Sequence, residues 1–586
     1  MSLLKFAVGA LALASTVSVQ AKCQIQFMEM PVRMEGSRAI ATLGINGTKI
    51  PLVVDTGAFF SILTRASTEE LGLKLEHLPF GFSVDGIAGK MVDPRMTTVD
   101  HLQLLSGEIP DIEFVVGGND SGLGGMGLLG RNILAVFDTE YDLAHGVIRF
   151  VIPNEDCEKS NMAYWARDMP VSELPLIRDR DGDRRDKTPA IRALVKVNGH
   201  ETLALFDTGA TTLVSLHAAK RAGLQDTDLQ PIGDLHGVGK GRVKDWAADF
   251  DSVELGGETV THNHLDVSDF EARDFDMLLG IDFFLSHHIY ISKKRSRMFF
   301  TYTGGPVFAR NVGEKTEAAA SAPATAAEAL SADDLFRRGS ASLARKDYVA
   351  ALADLDRACA LEPGNAAFHA TRAVVHQQLK DFPKALADLD TALTLDPKLA
   401  DARMQRAYML PRNTDHARSL EDLAFLDDTL PPLSNLRANM ARLYNVLGSP
   451  VQAIKQWTLW IDNHPNDVMV PSAQNSRCWA RVQADIELDR ARKDCDAAID
   501  DDSKNPHFLD TRGWLSLRLD QPAKARADFD AAIRTQPTDV WPLYGRALVH
   551  MRLGETAEAQ ADLAAARKAE PKIDERVKAA GFEPAP

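Results

Sequence analysis

The chain has 586 residues, 45% hydrophobic and 25% charged, with a formal net charge of −16. That length exceeds what one hydrophobic core organises and points to three or four units of roughly 150 residues. The acidic excess argues against a nucleic-acid partner, because phosphate binding needs clustered Lys and Arg.

The N-terminus reads MSLLKFAVGALALASTVSVQAKC: an early Lys5, an apolar run from Phe6 to about Ala14, then small residues ending at Ala21. This order predicts a signal peptide over 1–21 and an exported protein, periplasmic or secreted. The apolar run is shorter than the ~20 residues a membrane span requires, and no later stretch is apolar enough, so no span is expected in the mature chain. Five cysteines follow, Cys23, Cys157, Cys359, Cys478 and Cys495, without the paired close spacing of a zinc site. An exported location permits disulfides. Cys23 with Cys157 would clip together the two ends of the first β unit. Cys478 and Cys495 read equally as a disulfide or as two buried thiols.

Two internal repeats of different period set the expected architecture. Between about 35 and 302, Asn46-Gly47 recurs as Asn198-Gly199, Asp55 as Asp207, Gly86 as Gly237 and Gly130 as Gly280, at offsets of 150 to 152. A duplicated unit explains that constancy. Each copy reads as β: short runs rich in Val, Ile, Leu and Phe are punctuated by Asn-Gly or Gly-Gly turns, with a short helical piece after each Asp-Thr-Gly-Ala. We expect β units at 22–157 and 190–303 joined by a charged linker at 158–189. Asp179, Asp181 and Asp183 alternate there as in a calcium loop, but Arg184 stands where the sharp-turn Gly belongs, so a solvated linker is the better reading.

An Ala- and Pro-rich stretch at 304–331 reads as a second linker. Beyond it Pro363, Pro397, Pro431 and Pro465 stand 34 apart, as do Pro537 and Pro571, each behind a pair of helical patterns rich in Ala. The period and pattern resemble the tetratricopeptide (TPR) repeat, with about seven units over 332–573 and a tail at 574–586. The resemblance implies an all-α solenoid whose groove binds a protein or peptide partner. A spacer without ligand is the plain alternative.

The duplicated Asp-Thr-Gly carries the chemistry. An acidic residue straight after a buried strand is costly without a task or a partner. One such motif is most simply a turn. Two at matching places, each followed by an apolar-apolar-Gly element at 128–130 and 278–280, resemble the aspartic peptidases of the retropepsin and pepsin clan. The resemblance implies a mainly-β acid-protease fold in which the catalytic Asp55 and Asp207 face each other within one chain. It implies that Thr56 and Thr208 lock the paired loops, and that Gly57 and Gly209 let backbone approach the carboxylates. Flaps would be Gly86, Ile87, Ala88 and Gly89 in one copy and Gly237, Val238 and Gly239 in the other. Neither flap shows the Tyr of pepsin-like enzymes, so the retropepsin comparison fits better. Two carboxylates a few ångströms apart share one proton, letting one activate water and the other protonate the scissile carbonyl. Pairing of copies between two chains, a homodimer, is the alternative to a monomer.

Other constellations are weaker. Glu140 replaces Gly in "FDTEYD", an ordinary strand exit. His262 and His264 have no third ligand nearby, and His287 and His288 point to opposite faces of an extended run, so no metal or cofactor is expected. The sequence therefore suggests an exported aspartic endopeptidase acting on extended polypeptide, with repeats that bind a substrate or regulator. A non-enzymatic TPR scaffold carrying an inactive protease fold is the competing reading.

Overall fold

The computed structural model describes residues 15–18, 23–79, 82–105, 107–118, 126–166, 169–177, 190–235, 237, 239, 241–272, 274–308, 330–413 and 415–586. Most of the expected signal peptide, 178–189 of the first linker, 309–329 of the second, and Val238 lie outside these residues.

The first β copy opens with strands Arg38–Ile45 and Thr48–Val54, which pair antiparallel. Asn46 and Gly47 both take positive φ between them, the primed turn that matches strand twist. The second copy repeats this with Arg192–Val197, the turn Asn198-Gly199, and His200–Phe206. After each Asp-Thr-Gly loop comes a short strand and a six-residue helix. Thr64 caps Arg65–Glu70 by accepting from the Ser67 N–H, and Ser215 caps Leu216–Arg221 by accepting from the Ala218 N–H. A long hairpin follows in each: Arg95–Leu104 with Gly107–Val116, and Val243–Leu255 with Glu258–Ser268.

The apolar-apolar-Gly elements become strands threaded beside the Asp-Thr-Gly loops. Gly127–Leu129 runs parallel to Thr48–Val54 and antiparallel to Ile62–Leu63. Met277–Leu279 repeats both pairings with His200–Phe206 and Leu213–Ser215.

The copies meet in one shared sheet. Asp138–Asp142 pairs antiparallel with His287–Ser292, placing Glu140 opposite Tyr290. Outward on one side lie Val147–Pro153 and Gln24–Glu35, on the other Arg297–Tyr302 and Ser172–Pro175. The stretch read as a linker thus supplies an edge strand, and its Met162, Ala163 and Ala166 are buried with Tyr290 and Phe299. The main core is continuous through both copies and includes Phe114, Phe150, Phe206, Phe250, Phe283 and Phe284. Full burial of each such side chain is worth about 1.5–3 kcal/mol, so neither copy is expected to be stable alone. Cys23 is bonded to Cys157.

Residues 1–397 form one compact unit and 398–586 another. In the first, the helix Ala332–Ala344 lies on strand Gln24–Glu35. The Met34 N–H donates to Ser340 Oγ at 3.1 Å, and Ala341 belongs to the protease-like core. The pair is completed by Tyr348–Leu361, and a second pair follows, Ala366–Gln378 and Phe382–Leu395. The second unit adds five more helix pairs and a last short helix, Ile573–Ala579, where the sequence was read as plain tail. Buried Ala351, Leu355 and Ala358, and their counterparts in later repeats, let the helices approach closely. An Arg on the first helix grips an Asp sixteen residues later with two bonds in Arg338–Asp354, Arg372–Asp388, Arg406–Asp422, Arg512–Asp528 and Arg546–Asp562. Cys478 and Cys495 are bonded across the lengthened unit, and Cys359 is a buried free thiol.

Candidate active site

Each Asp ends a strand whose last bonds fix it. The Asp55 N–H donates to Leu129 O at 3.0 Å and the Asp207 N–H to Leu279 O at 2.9 Å. The threaded strands thereby hold both loops at equivalent heights.

The threonines tie the loops to each other. The Thr56 N–H donates to Thr208 Oγ1 at 3.1 Å, and the Thr208 N–H to Thr56 Oγ1 at 3.0 Å. Thr56 Oγ1 donates to Phe206 O at 2.9 Å and Thr208 Oγ1 to Val54 O at 2.7 Å. Four reciprocal bonds between buried groups leave little freedom in how the loops face each other.

Gly57 and Gly209 stand where the partner copy's carboxyl must pass. A Cβ on Gly57 would overlap the Asp207 carboxyl, and one on Gly209 would lie 2.5 Å from Asp55 Cγ. The Asp55 and Asp207 carboxyls interact directly with each other. Burial, then the nearby Asp207 charge, holds the Asp55 carboxyl well above the ordinary carboxylate range. Burial raises Asp207 too, but the Gly209 N–H, the bond from Asp55, the Gly57 N–H and the Arg131 charge all favour its ionised form. Asp207 Oδ1 accepts from Gly209 N at 2.8 Å and Gly57 N at 3.2 Å, while Asp55 Oδ1 accepts from Ala58 N at 2.7 Å. Burial and mutual repulsion disfavour ionising both, so the pair shares one proton.

A second layer, not anticipated from the sequence, supports the loops. Ser61 N and Oγ both donate to Asn132 Oδ1 at 2.8 Å, and Gly130 N donates to Ser61 Oγ at 3.0 Å. In the other copy Thr212 N and Oγ1 donate to Asp282 Oδ1 at 3.1 and 2.6 Å, and Gly280 N donates to Thr212 Oγ1 at 2.9 Å. The signal was the residue two beyond the Gly in "GRN" and "GID". Gly130 is required because a Cβ would lie 2.5 Å from the Phe60 carbonyl carbon.

The flaps also meet. Asp85–Gly86 pairs with Gly89–Lys90 as a hairpin, and the Gly241 N–H donates to Ala88 O at 2.9 Å. A Cβ on Gly239 would stand 2.6 Å from the Gly89 carbonyl carbon, and one on Gly237 3.2 Å from Ile87 Cγ2. A cavity of about 370 Å³ is lined by Thr56, Arg131, Tyr141 and Lys293 among others, but not by Asp55 or Asp207.

The set-aside residues have structural partners. Glu140 is fully buried and binds Arg149, Tyr164 and His288 within the shared sheet. His287 contacts Glu258 and the Phe283 carbonyl instead, and His264 pairs with Asp249. No group of three potential metal ligands occurs among the described residues.

Two segments, 41–133 and 193–283, match the family described as aspartyl protease. No curated protein matches the chain. Among solved structures, a tetratricopeptide repeat protein from Parabacteroides merdae is 17% identical, covering 43% of this chain and 99% of that one with a TM-score of 0.34. YrrB, described as a TPR protein with an unusual peptide-binding site, is 18% identical, covering 33% of this chain and 97% of its own, with a TM-score of 0.29. PilF of Pseudomonas aeruginosa is 21% identical, covering 36% of this chain and 94% of its own, with a TM-score of 0.30. The duplicated loops, their threaded strands and the 34-residue helix pairs converge on one description: an N-terminal aspartyl-protease-like region in two copies, followed by TPR-type repeats.

Proposed function

We propose that the chain is an aspartic endopeptidase that hydrolyses extended polypeptide at Asp55 and Asp207, with the repeats binding a protein substrate or regulator. The observation that carries this reading is the buried carboxyl pair, each Asp set against the glycine of the other copy's loop and the loops locked by the Thr56–Thr208 exchange. Asp207 would take a proton from a water lying between the carboxyls as that water attacks the peptide carbonyl. Asp55 would donate its proton to the carbonyl oxygen, giving a neutral tetrahedral diol. The pair would then return a proton to the leaving nitrogen. The flap backbone offers N–H and C=O groups for strand-like pairing with substrate. We further propose export to an oxidising compartment, which suits the two disulfides.

The test is cleavage of an unfolded polypeptide across acidic to neutral pH, with a pepstatin-type inhibitor as control. Expected is cleavage that the inhibitor blocks and that Asp55→Asn and Asp207→Asn each abolish. A well-folded protein that cleaves nothing and does not bind the inhibitor would leave the scaffold reading.

A further inference from the structure

Residues 581–585 do more than follow the last helix. The helix Ile573–Ala579 closes the final repeat with buried Ile573 and Val577. A cap needs nothing beyond that. Yet residues 581–585 continue back over the faces of earlier repeats, reaching helices Val470–Ala484, Pro506–Arg518 and Val540–Leu553.

The contacts are specific. The Phe582 ring centroid lies 4.6 Å from that of Trp514 and 6.5 Å from Trp479, nearly parallel to the latter. The Arg518 guanidinium covers the same ring at 4.1 Å, and its Nη2 donates to Gly581 O at 2.6 Å. Three residues on, the Ala585 N–H donates to the Tyr544 hydroxyl at 2.8 Å and Ala585 O accepts from Arg567 Nη2 at 3.0 Å. Gly581 has φ of +82°, and a Cβ there would stand 2.8 Å from Gln483 O, so the approach needs Gly. One aromatic anchor and backbone clamps on both sides of it make a peptide-recognition geometry that reads little sequence in between.

We infer that the first-helix face of repeats five to seven is a receptor for a short extended peptide segment carrying an aromatic residue, with this chain's own residues 581–585 seated on it as a resident competitor. This rests on the reading of the repeats as peptide-binding, and specifies where and what they bind. The short tether gives the tail an effective concentration of the order of millimolar, so a free peptide competes poorly until the anchor is removed.

The test is fluorescence anisotropy of a labelled octapeptide, AAGFEPAP, against the full chain. Phe582→Ala is expected to bind it at least ~10-fold more tightly than wild type. Ala585→Pro, which removes the N–H given to Tyr544 and fixes φ at that position while keeping the Phe582 anchor, should fall between, and the peptide with Ala in place of Phe should bind neither variant. Equal binding by wild type and Phe582→Ala, or none by a Phe582→Ala chain with native circular dichroism, overturns the inference. Should Phe582→Ala fail to fold, no gain in Ala585→Pro overturns it equally. Cleavage of an unfolded polypeptide by the same preparations reads the carboxyl pair separately. Binding of unrelated partners by the repeats would survive a negative result.

Discussion

The two β copies are alike where the loops touch and unlike just behind them. Both contribute Asp, Thr and Gly in the same order, with the same N–H bond from the Asp to a threaded strand. Behind the loops, however, Asn132 supports the first and Asp282 the second. Asp207 collects two backbone N–H groups at one oxygen where Asp55 collects one. A site built from two identical chains must begin symmetric. Duplication within one chain lets each half drift, and here the drift gives the two carboxyls different surroundings.

The largest effect that tests this comparison comes from the carboxyls. Asp55→Asn and Asp207→Asn should each lower cleavage by ~10²–10⁴-fold or to below detection, because neither carboxyl can do the other's task. Steady-state hydrolysis of an unfolded polypeptide measures it. Close behind are Gly57→Ala and Gly209→Ala. Each places a methyl group against the carboxyl of the opposite copy, so each should cost ~10²-fold or more while circular dichroism stays native.

A smaller effect distinguishes the supports. Asp282→Ala removes the acceptor of a buried Thr212 N–H and O–H and should cost about 1–3 kcal/mol in denaturant unfolding, whereas Asp282→Asn keeps an acceptor and should cost less. The smallest is a pH dependence. Asp55 is raised in the folded state, so between the ordinary carboxylate range and its raised value the native chain binds more protons than the unfolded one. Stability contributed by that site therefore falls as pH rises through this window. Asp55→Asn should melt higher than wild type near neutral pH, and the advantage should vanish on acidification below the ordinary range. A larger gain for Asp207→Asn than for Asp55→Asn would reverse the proton assignment.

Much of this arrangement was legible in the sequence because it rests on backbone. Asn-Gly turns, Asp-Thr-Gly loops and apolar-apolar-Gly strands need particular residues at particular places, and duplication displayed each twice. The Thr56–Thr208 exchange followed from the resemblance alone. Less legible were contacts between residues far apart with no period to expose them. Asn132 and Asp282 differ in identity, so the repeat comparison passed over them. Glu140 looked like a strand exit because its partners Tyr164 and His288 come from the linker stretch and the other copy. Ser172–Pro175 is only four residues long, yet becomes a strand because Arg297–Tyr302 offers it an open edge. The tail's Gly581 and Phe582 meet residues about a hundred positions earlier, beyond any local pattern.

The central claim is that Asp55 and Asp207 of the same chain make one site. Purified Asp55→Asn and Asp207→Asn chains, assayed alone and then after mixing and joint refolding, test it most directly. The intrachain pair predicts background cleavage in every sample, since no chain regains both carboxyls. Substantial activity in either single variant, or its recovery on mixing, would mean that copies pair between chains and would contradict the account.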